Sequence, residues 1–598
     1  MNRHFCNPIN CEYKYQFNKN PMQASELSVN REAADPSIVL FKDKYYLFAS
    51  MTLSVWVSED LVTWESHRLP ESLPLYDYAP DARVVGEYVY FTASDDNKKC
   101  SFFRTKDVLN GPYEEIPGTF GYTDPNLFVD EDGRIYFYWG CSSQSPLKGV
   151  ELDPQTMAPI GEVKDLISSD AFVRGYERIG EDNTVFPASA EEVENSFMAF
   201  LNEQGIREQD LAEPLPQQIR GYLSHEPYIE GAWMNKFGRT YYLQYAFAGT
   251  EYNIYGDGVF ESESPLGPFK LARNNPYSFS PGGYLPGAGH GSTFSDKFGN
   301  LWHSATMRIS VNHNFERRVG IWPAGVDVDG ELFCNQRYGD WPIQACADKR
   351  DPFEAPKWYL LSSGKKVTAS SSEKKHPASL VAEEDVRTWW RASGVEPGEW
   401  LIMDLGQKYE VNAIQVNFAD DHIELPLPKQ LENPENSRYI EADTLYTRWI
   451  LEGSADGEEY LVLADKSATD TDLVHDTVFL DKSMQLQYIR LTILEVPYGQ
   501  QPCISGLRVF GKGTGSLPAA ADYIAVRTSE LDMDVEIKEN AAVGNLILWG
   551  HAPDKLYHSC MVYGTKQHIG ALVKDTDYYV RVDAFNENGI TEGTVTKI

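Results

Sequence analysis

Four residues whose side chains can move a proton recur at similar places in repeated segments of this chain: Asp35, Asp124, Glu230 and His290. Each of them stands at the start of an apolar run. A polar turn follows that run and then an aromatic run, as in "YTDPNLFVDEDGRIYFYWG" at 122–140. The spacing from these residues to their turns is eight, eight, eight and nine residues. Crowded carboxylates raise one another's pKa, and the one in the least polar surroundings keeps its proton longest. An acid and a base at one pH are what the hydrolysis of a glycosidic bond requires.

The repeat occurs five times and predicts five β-hairpins. The apolar first strands are "PSIVLF", "ARVV", "PNLFVD", "GAWMNK" and "GSTFSD", and the aromatic second strands are "DKYYLFAS", "GEYVYFTAS", "DGRIYFYWG", "FGRTYYLQYA" and "FGNLWHSAT". Turn residues followed by alternating aromatic residues are typical of the second strand of a hairpin. Radial repetition of such units hides sheet edges, so an all-β, five-bladed β-propeller is expected. The alternative, a large β-sandwich, would leave the similarity of the five hairpins unexplained.

The innermost strand of each propeller blade follows the central channel, so residues that enter the five repeats should converge there. Asp81 enters the second repeat at a shorter spacing of five residues, whereas the other four residues agree within one. A single Asp-Pro pair is more often a turn or a cap than a site, but four acidic or imidazole groups in register predict one axial cavity. The gap between the third and fourth repeats holds an extra segment near 160–225, in which "SAEEVENSFMAFLNEQG" has helical spacing.

The motifs "ADP", "TDPN", "IEG" and "GHGS", with "SVWVSEDLVTWE" and "YAPDARVVGEYVY", resemble glycoside hydrolase family 43 over about residues 7–345. The resemblance implies that Asp35 is the general base, that Glu230 is the general acid and that Asp124 orients the acid and tunes its pKa. It also implies inversion, with the base and the acid roughly 6.5 to 9.5 Å apart. Glu226 is a rival acid four residues from Glu230, and the repeat spacing favours Glu230.

The histidine in "GAGHGS", His290, matches the position that in many members of this family binds calcium through a shell of water. Calcium prefers oxygen ligands, so water would have to supply most of its shell. A structural histidine without a metal is the alternative.

Substrate contacts are expected from one arginine and two tryptophans. Arg317 lies six residues before Pro323, a spacing that resembles the sugar-binding arginine of the family, and Arg308 and Arg318 are its rivals. Trp56 or Trp233 could stack on a sugar ring. Most of the 13 tryptophans must belong to hydrophobic cores.

The pattern changes after the propeller, which is assigned residues 1–358. Residues 359–513, with "TWWRA" and "WLIMDLG", resemble a discoidin (coagulation-factor C-type) β-sandwich, a module that in glycosidases often binds glycans. The alternative is a structural brace. Residues 519–598 follow the linker "GTGSLPAA" and resemble a fibronectin type III domain, with Leu572 and Tyr578 in its tyrosine-corner phrase.

Composition restricts the partners. The net charge is −35, from 88 acidic and 53 basic residues, which argues against nucleic acid or an anionic membrane surface. No apolar run approaches the roughly 18 residues of a membrane span. The start "MNRHFCNPINCEYKYQF" has no signal-peptide core, so the chain is either cytoplasmic or trimmed after export. Eight scattered cysteines predict neither a zinc site nor a disulfide framework.

Two functions compete at this stage. The first is an inverting glycosidase that releases arabinofuranose, xylose or galactofuranose, with α-L-arabinofuranosidase favoured and no organic cofactor. The second is a non-catalytic, carbohydrate-binding propeller. The complete set Asp35, Asp124 and Glu230 favours the enzyme, because a lectin needs no isolated proton donor. Plant or microbial polysaccharide or oligosaccharide is the expected partner. The oligomeric state and the choice between exo and endo action stay open.

Overall fold

The computed structural model describes residues 3–20, 23–76, 78–94, 99–118, 120–309, 313–345, 348–539 and 541–598. The seven cysteines in these ranges are not in disulfides, and Cys346 lies outside them. No helix in the described ranges has the length and hydropathy needed to cross a membrane.

Five consecutive four-stranded antiparallel sheets form the propeller, so the predicted fold class is confirmed. The first and second blades contain Ala34–Phe41, Lys44–Ser50, Ser54–Ser58 and Glu65–Arg68, then Asp81–Val85, Tyr88–Thr92, Phe102–Thr105 and Glu114–Ile116. The third and fourth contain Asn126–Val129, Ile135–Trp139, Leu147–Leu152 and Pro159–Ile167, then Ile229–Phe237, Thr240–Phe247, Gly256–Ser262 and Lys270–Leu271. The fifth contains Gly287–Ser295, Leu301–Arg308, Arg317–Val326 and Leu332–Cys334.

Polar side chains on the inner strands join each blade to the next. The Ala82 amide donates to Ser37 Oγ at 3.0 Å, and the Leu127 amide donates to Asp81 Oδ2 at 2.6 Å. The remaining contacts are made by Asn126 Oδ1 with the Met234 amide (2.8 Å), Trp233 Nε1 with Thr293 O (3.1 Å) and Ser292 Oγ with the Ile38 amide (3.4 Å). Blade one is thereby linked to blade five, and the ring closes through buried hydrogen bonds.

The extra segment between the third and fourth blades contains the predicted helix. Ala190–Gln204 begins after Ser189, which forms a capping box with Glu192, and ends at Gly205 in the left-handed conformation. A second helix, Leu215–Leu223, packs against it, with Arg220 bonded to Glu194. Three short 3₁₀ turns accompany them: Gly175–Glu177, Glu181–Asn183 and Glu208–Asp210.

The C-terminal part consists of β-sheets of two separate units. One eight-stranded sheet contains Tyr359–Leu360, Lys366–Ala369, Trp390–Arg391, Glu399–Phe418, Arg448–Ser454, Leu461–Asp465, His475–Glu495 and Cys503–Lys512. It is accompanied by the 3₁₀ turns Ala378–Ala382, Lys429–Leu431 and Pro497–Gly499. The last unit pairs Tyr523–Arg527, Met533–Ile537 and Lys566–Ile569 in one sheet, and Gly544–Gly550, His558–Val562, Tyr579–Asn586, Gly589–Thr591 and Thr596–Lys597 in another.

In the last unit the Val573 amide donates to the Tyr578 hydroxyl at 2.9 Å, which is the type of bond that a tyrosine corner forms. The assignment of the two C-terminal units to discoidin-like and fibronectin-like families stays a prediction.

Strands near the N-terminus join the propeller to the rest of the chain. Arg3–Phe5 pairs with Ile343–Ala345 beyond the fifth blade. The hairpin of Lys14–Asn20 and Gln23–Glu32 precedes the first blade and accepts Arg438–Ile440, from the second unit, as a third strand. Hydrophobic contacts cross the same boundaries, since one cluster contains Trp341 beyond the fifth blade, Phe510 and Phe585. The three units therefore share buried surface.

Candidate active site

The residues that enter the inner strands have an unusual backbone conformation. Asp35, Asp124 and His290 have positive φ values of 53°, 50° and 51°. The strand register shifts between Ala34 and Ser37, which flank Asp35, and between Gly289 and Ser292, which flank His290. Left-handed conformations are costly for residues with a Cβ and persist only where the surroundings fix them. Here the Asp35 amide donates to Thr306 Oγ1 and the Asp124 amide donates to Ser94 Oγ, both at 2.8 Å.

The second blade departs from the sequence prediction. The residue with the left-handed backbone there is Ala79, with φ of 49°, which precedes Pro80 as Asp35 precedes Pro36. Asp81 is therefore two positions out of register and does not line the cavity. Its carboxylate accepts hydrogen bonds from the Leu127 amide and the Asn126 side chain, and burial raises its pKa to about 6. Asp81 is a link between blades, which explains its short spacing.

A cavity of about 1110 Å³ opens where the inner strands begin. Asp35, Asp124, Glu230 and His290 all line it, so the structure brings together the four residues that the repeat singled out. Residues 214–226, which include the second helix of the extra segment, form one wall. Arg317 and Arg438 belong to another part of the lining.

The imidazole of His290 lies among the three carboxylates. Its Nδ1 is 3.4 Å from Asp35 Oδ1, 3.7 Å from Glu230 Oε1 and 4.0 Å from Asp124 Oδ2. These two distances limit the separation of Asp35 Oδ1 and Glu230 Oε1 to at most about 7 Å, a bound that includes the separations of retaining pairs and the lower end of the range for inverting pairs. Asp257 fixes the backbone at His290, because its carboxylate accepts hydrogen bonds from the amides of His290 (2.8 Å) and Gly291 (3.1 Å).

Asp35 is buried, and a hydroxyl and a guanidinium contact its carboxylate. The Ser50 hydroxyl donates to Asp35 Oδ2 at 2.6 Å, and Arg317 Nη1 lies 3.6 Å from Asp35 Oδ1. Arg317 also pairs with the buried Glu32. Arg317 thus lies in the cavity wall beside the predicted base, whereas Arg318 is bonded to His475 Nε2 and Glu316 away from it. The second rival, Arg308, pairs with Glu181.

The proton affinities of the remaining groups are strongly coupled. Burial and the charges of Glu230 and Asp35 raise the pKa of Asp124 to about 7, against the opposing charge of His290. Burial lowers the imidazole pKa of His290, but the surrounding carboxylates outweigh it and raise the pKa to about 10. For Glu230, burial is outweighed by the hydrogen bond and charge of His290 and by the Tyr255 hydroxyl, so its pKa lies below the ordinary value. Without substrate, Asp124 holds a proton more firmly than Glu230 does.

The same groups can be compared with what a metal ion requires. Asp124, Glu230 and His290 each offer a ligand atom within 4.8 Å of the others, so their spacing would admit a cation. Their chemistry fits Ca²⁺ poorly, because one nitrogen and two oxygens fall short of six to eight oxygen ligands. An imidazole with its pKa raised to about 10 is also protonated at neutral pH, so a metal ion at this nitrogen would have to displace that proton. Direct coordination is therefore disfavoured, and calcium held through water near His290 stays a prediction.

The two tryptophans predicted to stack on sugar are not brought to the cavity. Trp56 is 1% exposed and packs in the hydrophobic core beside Tyr13. Trp233 is 5% exposed, donates to Thr293 O and is covered by the Arg83 guanidinium at 3.8 Å. The aromatic side chains that do line the cavity are Tyr78, Tyr222, Tyr228, Tyr252 and Phe315.

A known protein family matches most of the propeller sequence. The model of the family described as "Glycosyl hydrolases family 43" matches residues 28–182 and 198–332, which include all four central residues. The propeller belongs to this family. The break at 183–197 contains the start of the helix Ala190–Gln204, so part of the extra segment lies outside the family match.

Two curated relatives of the family 43 propeller match part of the chain. "Xylosidase/arabinosidase 43A" of Humicola insolens is 32% identical over 210 residues, or 32% of this chain and 56% of that protein. "Beta-D-galactofuranosidase xynD" of Aspergillus niger is 24% identical over 299 residues, or 44% of this chain and 70% of that protein.

Among solved structures, one described as "Glycoside hydrolase" is similar, with a TM-score of 0.42, 18% identity, and 80% of this chain and 97% of that chain covered. An endo-1,4-beta-xylanase from Bacteroides thetaiotaomicron has a TM-score of 0.39 and 19% identity, with 51% and 95% covered.

Several contacts in the family 43 site were not foreseen from the sequence. The Tyr255 hydroxyl donates to Glu230 Oε1 at 2.5 Å, and the Cys141 thiol lies 3.5 Å from Glu230 Oε2. Cys141 also contacts the Tyr228 hydroxyl at 2.7 Å, and burial raises its thiol pKa, so it stays protonated. Cys141 directly follows the aromatic "YFYWG" strand of blade three, a position beside the axis that the repeat could have indicated. Tyr255 had no such signal.

Proposed function

We propose that this chain is an inverting glycoside hydrolase that removes terminal α-L-arabinofuranosyl residues from polysaccharide or oligosaccharide. The observation that carries the proposal is the convergence of Asp35, Asp124 and Glu230 around His290 in one cavity. A binding protein needs hydrogen bonds to sugar but no base and acid on opposite sides of a bond. The alternative of a non-catalytic propeller has no specific observation in its favour.

In the proposed reaction Asp35 removes a proton from water while the water oxygen bonds to the anomeric carbon. The bond from that carbon to the leaving oxygen breaks, and Glu230 gives its proton to that oxygen. The products are a sugar of inverted configuration and a free hydroxyl on the remaining saccharide. Ser50 and Arg317 contact the Asp35 carboxylate and orient it. Solvent afterwards takes the proton from Asp35 and returns one to Glu230.

Asp124 is proposed to keep Glu230 protonated in the complex with substrate. Glu230 must be protonated to act, yet in the ligand-free site the proton favours Asp124. The two carboxyl groups form one coupled system, so the relevant titration belongs to the pair. In the proposed complex the shared proton moves from Asp124 to Glu230, and the negative charge left on Asp124 raises the pKa of Glu230 and holds the proton there.

The sugar is proposed by comparison of related activities. The names of the two curated relatives combine xylose, arabinose and galactofuranose. Two of these names, the arabinosidase and the galactofuranosidase, support the proposal of a furanoside substrate for this chain. β-Xylosidase and β-D-galactofuranosidase activity are the alternatives within the family.

Exo action is proposed from the wall that the extra segment adds. The helix Leu215–Leu223 borders the cavity and places Tyr222 there, with 74% of its surface exposed. An exposed aromatic ring beside a carbohydrate cavity suits stacking against the sugar that remains after cleavage. A wall of this kind would admit a chain end more readily than the middle of a polymer.

A panel of nitrophenyl glycosides tests the proposed activity: α-L-arabinofuranoside, β-D-xyloside and β-D-galactofuranoside. We expect release of nitrophenol from the arabinofuranoside in preference to the other two. The experiment should include arabino-oligosaccharides, because a requirement for longer substrates would otherwise imitate inactivity. A chain that leaves the whole panel and the oligosaccharides intact is not a glycosidase of this type.

The coupled carboxyl groups predict the pH dependence of kcat/KM. Because the pKa of Asp124 is raised to about 7, the pair keeps its shared proton below this pH and loses it above. We expect kcat/KM to fall above about pH 7. Asp124→Asn removes the negative charge that raises the Glu230 pKa, so the descending limb should move to lower pH. A limb that Asp124→Asn leaves in place would contradict the coupling, and Glu226→Gln serves as the control.

Calcium and the C-terminal families are the remaining proposals. If Ca²⁺ binds through water near His290, added CaCl₂ should raise Tm and a chelator should lower it, and His290→Gln should remove both shifts.

We further propose that residues 359–513 and 519–598 are discoidin-like and fibronectin type III-like modules.

A further inference from the structure

The second unit reaches into the candidate active site through one short strand. Arg438–Ile440 pairs antiparallel with Lys14–Asn20, with Arg438 opposite Asn18. Backbone bonds extend the pairing on both sides, from the Lys19 amide to Ser437 O and from the Glu441 amide to Tyr15 O, each at 2.9 Å. The strand is thereby fixed to the propeller by main-chain bonds.

The side chain of Arg438 lies in the cavity wall that blade one and the start of blade two build. Its Nε donates to Asn18 Oδ1 at 2.7 Å, and its Nη1 lies 3.0 Å from Met51 Sδ. The guanidinium covers the ring of Tyr78 at 4.7 Å, and both residues line the cavity. These contacts hold a half-buried cation at a defined place.

Arg438 differs from Arg317 in how its charge is balanced. Arg317 pairs with Glu32 and with Asp35. For Arg438, the part of the chain that the structure describes provides the Asn18 amide oxygen, a thioether, and the ring and hydroxyl of Tyr78, and no carboxylate in an ion pair. A guanidinium has five N–H donors, and a thioether is a weak acceptor. Several donors of Arg438 are therefore left for a ligand in the cavity.

Arg438 lies on the same side of the cavity as the predicted base. Burial and the nearby Glu32 charge raise the pKa of Tyr78 to about 12, against the charges of Arg438 and Arg317. The Arg438 guanidinium covers the Tyr78 ring, the charge of Arg317 also acts on Tyr78, and Arg317 in turn contacts Asp35. In an inverting reaction the base acts on the sugar that is released. This wall therefore faces the released sugar.

We propose that Arg438 binds hydroxyl groups of the released sugar, so that the sugar site is complete only when the second unit is folded against the propeller. The inference rests on the proposed function, because it assigns the ligand of that same cavity. It gives the second unit a role in substrate recognition that a brace or a separate glycan-binding module would not have.

The test compares Arg438→Ala and Arg438→Lys with Arg490→Ala in the full-length protein. Arg490 belongs to the same unit but pairs with Glu452 outside the cavity lining. We expect Arg438→Ala to lower kcat/KM on the preferred glycoside roughly 10- to 100-fold, mainly through KM, as the loss of charged hydrogen bonds would. Arg438→Lys should be intermediate, because it keeps the charge without the planar fork. Arg490→Ala should match the wild type.

Saturation-transfer NMR measures binding of free L-arabinose, D-xylose and D-galactose. This measurement separates the proposed role of Arg438 from the proposed glycosidase activity. If the wild type is active and Arg438→Ala has the same KM and the same sugar binding as Arg490→Ala, the role of Arg438 is overturned. The proposal that the protein is a glycosidase is then unaffected. A wild type that cleaves no substrate and binds no sugar overturns both. If Arg438→Ala lowers Tm, the comparison rests on Arg438→Lys, and unchanged KM in that variant also contradicts the proposal.

Discussion

Asp35→Asn is expected to lower kcat/KM roughly 10²- to 10⁴-fold on every substrate that the wild type cleaves. The amide cannot accept a proton from water, while its size preserves the contacts with Ser50 and Arg317. Because the base acts on water in every case, the loss should not depend on the leaving group. The measurement is steady-state hydrolysis of the preferred nitrophenyl glycoside, with thermal unfolding to confirm that the variant is folded.

A matched control is Glu226→Gln. Glu226 is an exposed carboxylate in the segment that leads into the strand of Glu230, four residues before it. Glu226 lines the cavity wall, but in the described part of the chain no hydrogen bond or ion pair joins it to Asp35, Asp124 or Glu230, so its removal should change kcat/KM only a few-fold. Asp35→Asn that retains wild-type turnover would show that another group activates water, and the assignment of the base would have to be abandoned.

Glu230→Gln is expected to show a loss that depends on the leaving group. On an arabino-oligosaccharide the departing sugar oxygen needs a proton, so kcat should fall roughly 10²- to 10⁴-fold. On a dinitrophenyl glycoside the departing phenolate is stable without a proton, and the loss should be much smaller. This difference distinguishes a proton donor from a residue that only binds sugar.

The result that contradicts the acid is an equal loss on both substrates. Glu226→Gln again provides the control, because it tests the one rival that the sequence left for this role. If Glu226→Gln shows the dependence on leaving group and Glu230→Gln does not, the spacing argument chose the wrong strand position.

The repeat predicted much of the fold and of the site because its signal is local. Hairpin strands, their turns and the residues that enter them follow one another within about ten residues, and closure of the ring brings equivalent positions together. Asp81 shows the limit of counting from the turn. The pair Ala79-Pro80 matches Asp35-Pro36 and Asp124-Pro125, and alignment on the proline would have placed Asp81 correctly as a link between blades.

Contacts that depend on distant segments could not be predicted. Arg438 reaches Asn18 across 420 residues, and nothing near "NSRYIEAD" indicates a cavity. Trp56 and Trp233 illustrate the reverse, since an aromatic residue in a strand has no local feature that separates core from cavity. The order of proton affinities also depends on burial and on three neighbours at once, so the placement of the proton on Asp124 required the structure.

The stereochemistry of the first product tests the central claim most directly. Wild type should be mixed with the preferred glycoside and the anomeric protons followed by NMR before mutarotation. The account predicts that the anomer opposite in configuration to the substrate forms first, because water attacks from the side of Asp35 while Glu230 protonates the leaving oxygen. First appearance of the anomer with the configuration of the substrate would mean that a carboxylate attacks the sugar, and the roles given to Asp35 and Glu230 would be wrong.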